Sequence, residues 1–518
     1  MAGTVTAMAA TVLVTASCAA SPNTPSANAE PITGGDLSAS IQQDPGCVDP
    51  HQTSLRQVLQ WGRQVVDSLV YEGESGEVSS WLASEWSVND NATEFTFVLR
   101  DDVVFSDGTG LDAGVVKANF DAMKAAGSTA TVAASYLANY IETEVVDDTT
   151  AIIKFSAPNA QFLYGVSTPN LGIFSGETAG LSAEALCAGD YAASGAFTVG
   201  EYSANERIVL EKNADYAWGP DVLENSGAAY LDSITFNVIT DTATATGAAA
   251  SGELDMLWGP QEQDIPTLEG AGFENADLPE PALSASWIIN PDTLVGTDLA
   301  VRQALSLGID RELLLSTRPD TMQPATGILN SAHPFYVDQS EQIYYDTDEA
   351  IEVLEADGWT KIGSDGIRTR DGERLTVDTI FYTSGAQPVM ELAKQQLAEI
   401  GLELTLTPVT ANEETARMAE GNFDMRVSWF TGPEPTVIAN VLRGTDATVD
   451  EFILEQASVS EFEPRSEIVG EFMDYIVENS LLIPMWEQNA TPFWSSQTLN
   501  MTRDVAGLVM FTQVQMSE

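Results

Sequence analysis

Apolar positions along the chain follow two rhythms that alternate from end to end. Between Val58 and Val70, the residues Val58, Leu59, Val65, Val66 and Leu69 recur at the spacing of an amphipathic helix. Glu94 to Arg100 (EFTFVLR) instead alternates Phe95, Phe97 and Leu99, the two-residue period of a half-buried strand. Asp107-Gly108 then predicts a turn, and Ala113 to Met123 a second amphipathic helix. Thr150 to Phe155 and Arg207 to Glu211 return to strand. Further on, Leu299 to Leu315 reads as one helix with Val301, Ala304, Leu305 and Gly308 on a face. Met390 to Ile400 is another helix, stopped at Gly401, and Leu402, Leu404 and Leu406 alternate as the next strand. This interleaving predicts an α/β or mixed α+β fold with no short-period repeat.

The first 33 residues break both rhythms. Met8 to Ala16 is a short apolar run ending in small residues, the pattern of a signal peptide. Thr15-Ala16-Ser17-Cys18 resembles a bacterial lipobox, in which the cysteine is lipidated, although Thr15 stands where Leu or Val is usual and the first basic residue is Arg56. Residues 19–33 (AASPNTPSANAEPIT) have the composition of a flexible tether. With Cys18 lipidated, Cys47 and Cys187 are left over, and in an exported chain they most simply form a disulfide, two separate buried thiols being the alternative.

Charge excludes one class of partner. The 518 residues carry 77 acidic and 21 basic side chains, a formal net charge of −56 spread along the chain. Such a surface repels phosphate backbones, so nucleic acid is not an expected partner. Hydrophobic residues make up 44%, enough for full globular cores.

The inventory of reactive groups is short. The two histidines, His51 and His333, have no neighbouring histidine or cysteine at metal-ligand spacing. There is no Gly-x-Ser-x-Gly elbow and no Gly-x-x-x-x-Gly-Lys-Ser/Thr phosphate loop. Carboxylate pairs such as Asp101-Asp102 and Asp147-Asp148 arise by chance among 77 acids. The expectation is a binding protein with no catalytic residue, metal site or cofactor. Trp429-Phe430, before the Gly/Pro-rich run Thr431-Gly432-Pro433-Glu434-Pro435, fits either a cleft wall or a core tryptophan at a strand end.

Seven segments, in order, resemble the family 5 extracellular solute-binding proteins, the oligopeptide, dipeptide and nickel receptors of bacterial ABC importers. They are Leu82 to Met123 (LASEW…FTFVLR…FSDG…), SGAFTVGEY with LEKNADYAW between Ser194 and Trp218, GAAASGELDM from Gly247 to Met256, and VRQALSLGIDRELL from Val301 to Leu314. VLEADGW with DGIRTRDGERL between Ala350 and Leu375, NFDMRVSW from Asn422 to Trp429, and LIPMWEQ from Leu482 to Gln488 complete the set.

The resemblance implies a two-lobed periplasmic-binding-protein-like fold of type II that closes over its ligand about a hinge, with an extra domain inserted in the first lobe. Mapped here, residues 1–18 form the signal peptide and lipobox and 19–33 the tether. Residues 34–78, 192–292 and 490–518 form lobe I, 79–191 the inserted domain and 293–489 lobe II. The implied protein is a monomeric, lipid-anchored, extracytoplasmic receptor that hands a peptide or similar small solute to a permease. A non-peptide solute such as a saccharide or metal chelate, or a sensor or scaffold role without transport, is the alternative. Peptide receptors of the family place an aspartate three residues after the tryptophan matching Trp429, where it pairs with the peptide ammonium. Here that position is Gly432, the loop is one residue shorter, and the acid before Pro435 is Glu434. Arg426, Trp429 and Glu434 are the expected cleft residues, with Trp258, Trp287 and Tyr71 as further candidates.

Overall fold

Three β-sheets organise the chain in the computed structural model, which describes residues 31–53, 55–73, 76–275, 280–316, 322–488 and 492–517. Cys18 and most of the tether lie outside the described residues. The first sheet has seven strands, in the order Phe273–Asn275, Pro492–Ser495, Met256–Trp258, Asp36–Ile41, Ser233–Val238, Arg207–Lys212 and Phe197–Ser203. Its central strand, Asp36–Ile41, runs parallel to both neighbours. A four-stranded antiparallel sheet is built from Ala83–Val88, Glu94–Leu99, Thr150–Phe155 and Tyr140–Val145. The third sheet has six strands, in the order Met322–Pro324, Leu482–Gln488, Ala282–Ile289, Met425–Thr431, Thr376–Tyr382 and Glu403–Val409.

Apolar packing divides the molecule differently from the sheets. One continuous core joins the seven-stranded sheet, through Leu37, Ile234 and Phe236, to the four-stranded sheet, through Phe95, Phe97 and Phe155. Phe162 anchors the latter part, its ring meeting those of Phe95, Phe97, Phe120 and Phe155 edge-on at 4.8–6.5 Å. The six-stranded sheet has cores of its own: Trp287, Leu305, Trp359 and Met425 belong to one, Leu283, Ile438 and Phe472 to another. Neither merges with the first. The chain therefore forms two bodies, joined where it crosses after Phe273–Asn275 and returns after Leu482–Gln488.

Cys47 and Cys187 are bonded, fixing the segment before the first helix to the short helix Ala183–Cys187. This settles the alternative left open by counting cysteines.

Strand expectations hold closely, and helix lengths differ most in three places, one being the helix expected over Met390 to Ile400, which spans Thr383–Glu399. The helix expected through Val70 spans Arg56–Val65 and stops at Val66, whose φ of −127° and ψ of 128° are extended. Tertiary bonds take over beyond it: Gly195 N–H donates to the Val65 carbonyl and Ile173 N–H to that of Asp67. The helix expected from Leu299 to Leu315 is two, Leu299–Leu307 and Arg311–Leu315, each started by an aspartate cap, Asp298 and Asp310. Gly308 sits at the break, where a Cβ would lie 3.0 Å from both Ile400 and Leu397.

Candidate functional site

The two bodies touch along one line. The N–H of Ala160, beside the four-stranded sheet, donates to the carbonyl of Ala457 at the end of helix Ala447–Ala457, at 2.9 Å. Gly76 lies against the other body so closely that a Cβ there would be 3.2 Å from Pro334 and 3.8 Å from Phe462. Phe462 in turn packs on Phe335, ring centroids 4.9 Å apart.

Charged groups converge beside this line. From the second body, Arg465 on helix Phe462–Glu478 grips Glu434 with two bonds, 3.1 and 2.5 Å, and also donates to Gln456 at 2.7 and 3.1 Å. Its guanidinium lies 5.2 Å from the Phe335 ring centroid. Both side chains of the pair are buried. From the first body come Glu72, at the end of strand Val70–Glu72, and Asp504, held by Arg63 at 3.0 Å and by the N–H of Leu508 at 2.9 Å. Ser167 reaches the Glu72 carboxylate at 3.5 Å. Tyr136 and Tyr164 stand beside it, edge to face at 5.8 Å.

These groups sense one another electrostatically. Burial pushes the Glu72 carboxyl well above the usual carboxylate range. The negative charge of Glu434 adds to that rise, Arg465 opposes it, and Asp504 adds again. Glu72 nonetheless remains only half-buried. Burial likewise raises the phenols of Tyr136 and Tyr164, with Glu434 and Glu72 contributing to both. Glu72, Tyr136, Tyr164, Glu434 and Arg465 thus form one electrostatically linked group beside the line where the bodies meet.

The expected cleft residues are only partly gathered there. Trp429 is 38% exposed near the end of strand Met425–Thr431. Glu434 is at the cleft, but Arg465 neutralises it. Arg426 turns into its own body, 3.4 Å from Glu414 and 5.7 Å from the Phe430 ring centroid. Trp287 has no exposed surface and belongs to the core, because its strand is central in the sheet and covered on both faces. Trp258 packs its ring 6.3 Å from that of Phe236, against the first core. Tyr71 is buried against Trp81 at 6.1 Å and borders a separate pocket of about 330 Å³ with Glu77, Leu223 and Thr502. Both histidines are enclosed. His51 Nε2 is 2.8 Å from the Gly172 carbonyl oxygen. Burial pulls His333 down to about 3, with the backbone of Glu434 opposing and Arg465 adding to the fall.

Gly432 explains why no acid follows Trp429 at the expected distance. Its φ is +150°, and a Cβ would come 3.3 Å from Val437. An aspartate there would be strained.

Sequence reasoning missed Glu72, Tyr136, Tyr164 and Arg465. The signal for Glu72 was the strand itself: adjacent residues face opposite sides, so with Tyr71 turned inward its neighbour turns toward the other body. Arg465 carries no local signal, since its role depends on Glu434, 31 positions away.

Residues 77–447 match the profile of the bacterial extracellular solute-binding proteins, family 5. The chain belongs to that family. It is 27% identical over 411 residues to the nickel-binding periplasmic protein of Escherichia coli K12, covering 77% of this chain and 76% of that one. It is 24% identical over 475 residues to the glutathione-binding protein GsiB of the same strain, covering 83% and 87%. Among solved structures, NikA from Brucella suis in complex with Fe(III)-EDTA superposes with a TM-score of 0.80 at 22% identity, over 93% of this chain and all of that one. The oligopeptide-binding protein AppA from Bacillus subtilis in complex with a nonapeptide gives 0.71 at 19%, over 94% of this chain and all of that one. The family-5 chain described here is thus an extracytoplasmic solute-binding component of an ABC importer, with the fold its sequence resemblance implied.

Proposed function

We propose that this family-5 protein captures a peptide or similarly small solute in the cleft between its two bodies and delivers it to an ABC permease. In this reading it works as a monomer without catalysing a reaction, and it is tethered to the outer face of the membrane through a lipid on Cys18. The lobe division given by the sequence resemblance goes with it, the inserted domain moving as one piece with lobe I. One observation carries the reading: separate apolar cores meet at a line of contacts beside a cleft lined by charged and phenolic groups from both. A ligand touching both bodies stabilises the arrangement in which they meet, and that arrangement is what a permease would recognise.

A metal chelate held through its chelator is the second reading, favoured by the nickel-binding relative. Among the described residues no three His, Cys, Asp or Glu side chains gather as a metal site.

Native mass spectrometry of the protein purified from its own host, then gently denatured, tests the choice. A released ladder of short peptides supports the first reading, and a single non-peptide mass removes it.

A further inference from the structure

We propose that Glu72 reads the charge of the solute: the ligand presents a protonated amine, such as a free peptide N-terminus, to the Glu72 carboxylate. This rests on the interlobe cleft being the solute site, and it moves cation recognition from the loop after Trp429 to a strand of the facing body.

The pairing of charges leads there. Three other acids around Glu72 or along the junction already have a cation. Arg465 holds Glu434 through both oxygens, Arg63 holds Asp504, and Arg56 holds Glu280 at 2.6 Å. Among the described residues no lysine or arginine pairs with Glu72, whose carboxylate receives only the long bond from Ser167. Arg465 is near enough to be felt, but its N–H groups are committed to Glu434 and Gln456.

Bringing the two bodies together thus leaves one negative charge without a partner, opposite a second carboxylate. Such an enclosed charge is costly until a cation or a proton compensates it. A ligand ammonium between Glu72 and the phenols of Tyr136 and Tyr164 meets that need, with three N–H donors for carboxylate and hydroxyl acceptors and two rings beside it. Glu434 is ill placed for the task, because an ammonium would have to displace a bidentate guanidinium. Gly432 is unable to supply the acid, since its backbone disfavours any side chain.

The test uses the full chain, freed of bound solute by unfolding and refolding, and titration calorimetry. The probes are di- to penta-alanine with free N-termini, the same peptides N-acetylated, and putrescine. Wild type is compared with Glu72→Gln, which keeps the side-chain shape, and with Glu72→Asp, which keeps the charge; thermal melts check folding. The proposal expects acetylation and Glu72→Gln each to weaken peptide binding by at least about tenfold. Acetylation should then make no further difference on Glu72→Gln, while Glu72→Asp should still prefer the free amine. Equal binding of free and acetylated peptides to wild type overturns the proposal and leaves the peptide reading standing. If the peptides fail but putrescine binds in a Glu72-dependent way, the peptide reading falls and the proposal holds. Binding of putrescine that survives Glu72→Gln, or no binding of any probe, overturns it.

Discussion

Asp67 is a buried acid beneath the first body's core, bonded by Trp218 at 2.9 Å and Tyr216 at 3.4 Å. Burial raises its carboxyl to about 7, against the bonds from Trp218 and Ser194 and the charge of Arg63. The sign of its effect on stability follows. Below the unfolded value both states are protonated and nothing is lost. Between there and about 7 the unfolded chain gives up the proton first, so stability falls as pH rises. Asp67→Asn should therefore raise Tm at pH 7.5 by roughly 2–4 °C and change it little at pH 4, as differential scanning calorimetry at the two pH values would show. Glu72 belongs to the same scale. Its raised carboxyl, facing Glu434, Asp504, Arg465 and the two phenols, must ionise to hold an ammonium. Binding of a cationic solute should release protons near that raised value, and affinity should fall as pH drops through it. Calorimetry in buffers of unlike ionisation enthalpy reads the proton count directly.

At the scale of elements, the disulfide joins parts of the chain 140 residues apart. Closing so long a loop restricts the unfolded chain, so Cys47→Ser with Cys187→Ser should lower stability by at most about 4–5 kcal/mol. Solute affinity should be nearly unchanged, because both ends belong to one body; chemical denaturation and calorimetry on the same preparation test both halves. The Arg465–Glu434 pair behaves differently. Arg465→Gln leaves Glu434 buried without its cation beside Glu72, which should cost about 3–5 kcal/mol in a denaturant melt. Strands such as Thr150–Phe155 were legible in the sequence because alternation is a local signal that neighbouring strands reinforce. Helix ends were less so: Val66 has nothing in its own segment to say that Gly195 and Ile173 claim the adjacent backbone. The cleft was legible at Glu434 and illegible at its partner. A motif marks one side of an ion pair, while Arg465 arrives from a separate helix through folding alone.

For the whole molecule, the described residues share no apolar core across the junction, so closure slides or hinges two preformed bodies rather than repacking either. Gly76 is where a single side chain should block that motion. Its φ of +77° strains any β-branched residue, and a Cβ would already crowd Pro334 at 3.2 Å, so Gly76→Val should hold the bodies apart. Small-angle scattering should show a larger radius of gyration with saturating solute than wild type has, and affinity should drop by about tenfold or more.

The backbone bond between Ala160 and Ala457 has a kinetic consequence. If the solute lies between the bodies as proposed, it leaves when the two bodies part and not by loosening its own contacts one at a time. Escape rates of chemically unlike solutes should then share an upper bound, the opening frequency of the empty protein, and fall below it as a solute bridges the bodies more strongly. Whatever prises Ala160 from Ala457 at the membrane should therefore hasten the surrender of cargo, while cargo that bridges the two bodies delays it.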